Sequence, residues 1–177
     1  MRLVLRCFTS VLLPTIKNKK ITLGQIPVSA VGEVELTYKR LHTEDTITMR
    51  NVKVTSSTDV YSFLRSKMES HIEHIERFYA IYFNRANKVQ GVYQLSLGGV
   101  AGTVADPKII LQAALLLNAS SIVIAHNHPS GNTKPSSADI AMTKKLKAAC
   151  EVMDIVLLDH LIVCEESFYS FADEGLI

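Results

Sequence analysis

The run Ser121–Asp139, SIVIAHNHPSGNTKPSSAD, constrains this chain more than any other stretch. Ser121 to Ala125 is short, apolar and β-branched, which predicts a buried strand. His126 and His128 follow two residues apart. Successive strand side chains alternate faces, so an extended backbone carried through to His128 projects both imidazoles to one side. Pro129, Gly131 and Pro135 punctuate the next segment, and Pro135-Ser136-Ser137-Ala138-Asp139 opens a predicted helix. A loop folded back at those positions brings Asp139 to the two rings. Two neutral imidazoles and a carboxylate form a mixed N/O set suited to zinc.

The remaining patterns predict what surrounds this loop. Val34, Leu36 and Tyr38 alternate with Glu33, Glu35, Thr37 and Lys39, as in a half-buried strand, and a second strand is expected between Thr46 and Val54, joined through His42, Glu44 and Asp45. Ser56-Ser57-Thr58-Asp59 supplies cap chemistry for a helix with Val60, Phe63, Leu64, Met68 and Ile72 on one side. Arg77 to Phe83 reads as a central strand, Asn84 to Asn87 as a turn, and Val89 to Leu97 as its returning partner. Gly98, Gly99 and Gly102 break the chain. Asp106-Pro107 starts a helix with Ile109, Ile110, Ala113, Leu116 and Leu117 on its apolar side. A last helix is predicted from about Ser137 to Cys150, then two short apolar runs, Ile155–Leu158 and Leu161–Cys164, flanking Asp159-His160, and a closing tail from Ser167. Alternating strands and helices behind an antiparallel ribbon predict an α/β (α+β) fold, a mixed sheet flanked by helices.

With 177 residues, 47% apolar and 20% charged, the chain is long enough for one domain with its own core. Its charge is uneven. Residues 1–32 hold five basic residues and no acidic one, leaving 14 basic and 17 acidic residues beyond them, a net of −3. We read 1–32 as a basic arm or leader, with a small pairing strand as the alternative, and 33–177 as the domain. The body lacks a basic footprint for nucleic acid. Arg6 interrupts the apolar N-terminus and no clean cleavage site follows, so no secretory signal is expected, and no run reaches the length of a membrane span. Cys7, Cys150 and Cys164 are widely spaced and form no Cys-x-x-Cys, which argues against a thiolate zinc knuckle and fits free thiols in the cytoplasm.

A catalytic zinc keeps three protein ligands and an open position, and needs a further carboxylate to move a proton. Glu73, Glu76 and Asp159 all remain candidates for that carboxylate on residue type alone. His71 and His74 do not have the spacing of a helical zinc pair and read as a solvated helix end. Ser136 with Asp139 is also an ordinary capping arrangement. Asp159 could orient a metal-bound imidazole or simply pack at a strand junction. Ser96 stands where a substrate-facing loop would begin.

The pattern H-x-H-x10-D at His126, His128 and Asp139 resembles the JAB1/MPN (JAMM) metalloprotease family. HNHPSG, LLDHLIV (Leu157 to Val163) and SFADEGLI (Ser170 to Ile177) are similar to its RadC-like branch, over Asp59 to Ile177, about two thirds of the chain. The resemblance implies a curved mixed sheet between helices, zinc on His126, His128 and Asp139, Glu76 as general acid/base two residues before Phe78, and Ser136 as an oxyanion donor. It implies hydrolysis of a peptide or isopeptide bond in a peptide or protein substrate. The alternative is a DNA-repair or DNA-transaction accessory. Longer RadC-like chains carry a helix-hairpin-helix module, which residues 1–55 do not resemble. A third reading has the metal only stapling the loop, which a closed four-ligand site would support. A zinc deaminase is excluded by the missing Pro-Cys-x-x-Cys.

Overall fold

Two uninterrupted apolar runs form the middle of a five-stranded sheet: β3 (Arg77–Phe83) and β5 (Ser121–Asn127) are buried along almost their whole length. The computed structural model describes residues 2–4, 35–37, 54–68, 72–97 and 105–177. It contains two compact units, Met1–Arg40 and Leu41–Ile177. In the first, β1 (Arg2–Val4) pairs antiparallel with β2 (Glu35–Thr37), Leu3 opposite Leu36. The latter lies inside the alternating run predicted over Glu33–Lys39. Residues 46–53 of the second predicted strand, His71, and Gly98, Gly99 and Gly102 lie outside the described residues.

The second unit continues with α1 (Ser57–Met68), β4 (Val89–Leu97), α2 (Pro107–Leu117), α3 (Ser137–Val152), β6 (Val156–Val163) and β7 (Phe168–Ser170). The sheet order is β4-β3-β5-β6-β7. All neighbours are antiparallel except β5 and β6, which run parallel with α3 as the crossover between them. The mixed sheet flanked by helices is therefore as the alternation predicted.

Alternation along the central strands divides the core in two. Tyr79, Ile81, Phe83, Val123 and Ala125 point to one face and pack with Val60, Leu64 and Met68 of α1. Phe78, Ala80, Tyr82, Ile122 and Ile124 point to the other and pack with Ile110 and Ala114 of α2 and Leu146 and Cys150 of α3. Each fully buried large apolar side chain contributes roughly 2 kcal/mol by its removal from water. Helix ends follow cap chemistry. Asp106 accepts from Lys108 N–H at 2.9 Å with Pro107 in the first turn, and Asn118 closes α2 in the left-handed region at φ 50°. Ile72, predicted on α1, enters the core from the turn after it.

The two apolar runs predicted around Asp159-His160 are one strand, β6. Polar residues continue it because both are paired: Asp159 accepts from Ser170 Oγ at 2.6 Å and from Ala172 N–H at 3.0 Å, and His160 is hydrogen-bonded through both ring nitrogens. The strand also carries one extra residue. Ile122 pairs with Leu157 but Val123 pairs with Asp159, so Leu158 is a bulge. Past it the facing is reversed: His160 lies opposite Ile124, on the α3 side. Unbroken alternation from Leu157 would have sent His160 to the α1 side.

Candidate metal centre

His126 is the last-but-one residue of β5, on the face that packs against α3, and His128 is two residues further on. His128 N–H donates to Val163 O at 3.1 Å, so the extended path persists past the strand end. A turn follows in which Gly131 N–H donates to His128 O at 3.0 Å. Gly131 takes φ 74°, where a Cβ would be strained. The loop then returns to the first turn of α3, where Ser136 is the N-cap and Asp139 the third helical residue. These two residues form a capping box. Ser136 Oγ accepts from Asp139 N–H at 3.2 Å, and Asp139 Oδ2 accepts from Ser136 N–H at 2.8 Å and from Ser136 Oγ–H at 2.6 Å.

That box leaves Asp139 Oδ1 directed at His126. Oδ1 lies 3.3 Å from His126 Nε2, Oδ2 lies 3.8 Å from His128 Nε2, and the two Nε2 atoms are 3.0 Å apart. His126, His128 and Asp139 thus converge as a group that could hold a metal ion, with one donor atom from each within 4.8 Å of the others. Ligands at zinc distances of 2.0–2.2 Å in a tetrahedron sit about 3.3 Å from one another. The Nε2–Nε2 separation of 3.0 Å and the Oδ1–His126 separation of 3.3 Å are close to that value, and three ligands leave one corner open. The chemistry of the donors and their spacing both fit zinc.

Each ring is fixed through its other nitrogen. His128 Nδ1–H donates to Asn132 O at 2.6 Å, and His126 Nδ1 lies 3.0 Å from His160 Nε2. Phe78 stacks on His126 with centroids 5.5 Å apart and planes 2° from parallel, and Phe171 stacks on His160 at 4.6 Å. Burial alone would raise the Asp139 carboxyl, but the neighbouring His126 ring and the hydrogen bonds from Ser136 outweigh it and hold the group well below the usual carboxylate range. Burial pushes the His160 imidazole well below its ordinary value, so it is neutral. Burial raises the Asp159 carboxyl against the pull of its hydrogen bonds from Ser170, Ala172 and His160.

Among the predicted site residues, His126, His128, Asp139 and Ser136 meet at one point. Glu76 stands just before β3. The register pairs Phe78 with His126, and continued two residues it sets Glu76 opposite His128. Glu73 and His74 lie in the preceding turn. Asp159 does not touch the metal group; its neighbour His160 does. Ser96 of β4 pairs with Phe78 of β3, and its hydroxyl is buried without a hydrogen-bond partner among the described residues. Sequence reasoning missed Thr143 and Asn127, and it singled out His160 without giving it a role. Thr143 is one helical turn beyond Asp139, and four-residue spacing was the signal that could have found it. Asn127 lies between the histidines, so alternation sends it to the opposite face. There its amide donates to Ile72 O at 2.7 Å and to Ile75 O at 3.0 Å.

The chain is similar to known proteins over most of its length. The RadC-like JAB domain matches residues 54–176. A "UPF0758 protein" of Flavobacterium johnsoniae is 40% identical over 149 residues, covering 84% of this chain and 63% of that protein. One from Aquifex aeolicus is 36% identical over 126 residues, 71% of this chain and 53% of the relative. UPF0758 protein YfjY of Escherichia coli K12 is 36% identical over 154 residues, 86% of this chain and 92% of the relative. The chain therefore spans less than two thirds of the first two relatives and nearly all of the third. No helix of the described residues is long and apolar enough to cross a membrane. On the extent of these matches, the chain belongs to the RadC-like JAB domain family.

Proposed function

We propose that His126, His128 and Asp139 hold zinc and that the second unit is a metallohydrolase of JAMM type, acting on a peptide or isopeptide bond. The observation that carries this reading is the convergence of two imidazole nitrogens 3.0 Å apart on one carboxylate, whose Oδ1 lies 3.3 Å from His126 and whose Oδ2 lies 3.8 Å from His128, with each ring's Nδ1 occupied elsewhere. When bound in an open three-ligand site, zinc polarises a carbonyl and lowers the pKa of water to about 7. Glu76, at the register position opposite His128, takes the water's proton and returns it to the leaving nitrogen. Ser136 N–H and Oγ–H both donate to Asp139 Oδ2, which favours the ionised carboxylate. Ser136 holds Asp139 in place. Its one hydroxyl proton goes to Asp139 Oδ2, so donation to an oxyanion requires that bond to open. A peptide is the partner class this chemistry recognises. The buried free thiols of Cys150 and Cys164 accord with a reducing, cytoplasmic setting.

The test is metal content and turnover together. Purified protein should carry near-stoichiometric zinc. His126→Ala and Asp139→Ala should lose it. Glu76→Gln should keep zinc but lose hydrolysis of peptide and isopeptide probes. Zinc-reconstituted protein that binds no metal, or binds it equally in all these variants, would overturn the reading. Tight, salt-dependent duplex binding without hydrolysis would favour the DNA-accessory alternative instead.

A further inference from the structure

His160 and Thr143 are buried polar residues that the proposed hydrolytic steps do not use, at 0% and 2% exposure. They connect two of the metal-site residues. Thr143 Oγ1 lies 2.6 Å from the backbone oxygen of Asp139 and 2.6 Å from His160 Nδ1, and His160 Nε2 lies 3.0 Å from His126 Nδ1. Counting protons along this chain leaves one solution. A carbonyl oxygen only accepts, so the Thr143 hydroxyl proton points at Asp139 O. Thr143 Oγ1 must then accept from His160, which puts the His160 proton on Nδ1. His160 is fully buried and neither ring nitrogen contacts a carboxylate, a setting that favours the uncharged ring with one N–H, so His160 Nε2 is bare and accepts from His126 Nδ1–H. His126 Nε2 is bare in turn, and it is the atom 3.0 Å from His128 Nε2 and 3.3 Å from Asp139 Oδ1. His128 reaches the same state by a shorter route, since its Nδ1–H is committed to Asn132 O.

We propose that Thr143 and His160 are positioning residues which, through a hydrogen-bond chain started by the Asp139 carbonyl, fix the tautomer of His126 and so present its bare Nε2 to the cation. The inference rests on the zinc reading above. The chain begins on the backbone of one ligand and ends on the ring of another. Helix α3 therefore sets both the Asp139 carboxylate and, one turn later, the protonation pattern of β5. The bulge at Leu158 is what turns His160 to the side where it can serve. Partners of this kind typically change metal affinity 10- to 100-fold when removed.

The test uses Thr143→Val, which keeps shape and deletes the hydroxyl, Thr143→Ser, which restores it, and His160→Phe, which keeps a ring beside Phe171. Zinc affinity is measured by chelator competition on the full chain, and His126 ring nitrogens are followed by long-range 1H–15N spectra in zinc-loaded and metal-free protein. We expect Thr143→Val and His160→Phe to weaken zinc about 10-fold or more, with Thr143→Ser near wild type. We expect the metal-free spectra to show the His126 proton on Nδ1 in wild type and a mixed population in Thr143→Val. Zinc affinity within twofold of wild type in both Thr143→Val and His160→Phe overturns the inference while leaving the zinc reading intact. If wild type binds no zinc, the zinc reading fails and the metal-free spectra decide this one: a His126 proton on Nε2 in wild type overturns it.

Discussion

The side chain of Asn127 accepts the backbone N–H of Arg77 at 2.8 Å, locking the residue between the two histidines to the one directly after Glu76. Its amide donates to Ile72 O and Ile75 O in the same turn. Every polar atom of this buried side chain is thereby used to hold the segment that carries Glu76. Asn127→Ala leaves two carbonyls and an N–H without these partners and should destabilise the protein by roughly 2–4 kcal/mol. Asn127→Asp should be no better at neutral pH, because it sets carboxylate oxygens against carbonyl oxygens. Urea denaturation and amide exchange at Arg77 check both. An Asp variant as stable as wild type would show that the turn is held by something else.

Ser136→Ala removes the cap of α3 and both side-chain bonds to Asp139. The helix should lose about 1 kcal/mol. The Asp139 carboxylate, held through Oδ2 by the backbone N–H alone, should bind zinc up to about 10-fold more weakly. Ser136→Thr should retain both. Thermal denaturation of the metal-free protein separates the first effect from the second, which chelator competition measures.

Cys150 lies on α3 against the sheet, and burial, aided by Glu151, pushes its thiol up to about 11 from the ordinary 9.0. The raised value means that the stabilising contribution of this group is fully present below pH 9.0 and is lost as pH rises through about 11. Stability should fall across that window, and Cys150→Ala should flatten the fall while lowering stability by a small amount at neutral pH. Alkylation of Cys150 at pH 8 should require unfolding. Rapid labelling of native protein would contradict the burial seen here.

Asp159 Oδ1 accepts from His160 N–H at 2.7 Å and from Ala172 N–H at 3.0 Å, tying the C-terminal turn to β6. Asp159→Asn keeps that acceptor and should lie within about 1 kcal/mol of wild type, whereas Asp159→Ala should lose roughly 2–4 kcal/mol. Burial raises the Asp159 carboxyl, so its contribution is fully present below the ordinary 3.8 and declines as pH rises through the folded value. The Asn variant should therefore gain on wild type as pH rises above the ordinary 3.8, which melting curves over a pH series would reveal.

The convergence of His126, His128 and Asp139 was legible because each part is local. Strand alternation placed His126 and His128 on one side, and the Ser-x-x-Asp cap placed Asp139 at a helix start. The central strands were legible as long apolar runs. The hydrogen-bond chain behind His126 was not. Thr143 looks like any half-apolar helix residue until its partner is known, and His160 interrupts an apolar run in a way that suggested a strand break. Its facing depends on where one extra residue enters the ladder, and side-chain periodicity carries no mark of that position. Asn127 was overshadowed by its neighbours, although the same alternation that pairs the histidines also turns it away from them.

Leu158 makes the metal group sensitive to simple arithmetic. Losing or gaining one residue between Val156 and His160 would swap odd for even along the rest of β6 and aim His160 into the aliphatic side, with every ligand intact in the gene. A second such change would restore the phase. The setting of the metal-competent group thus depends on the parity of a short stretch of chain that lends it no donor atom.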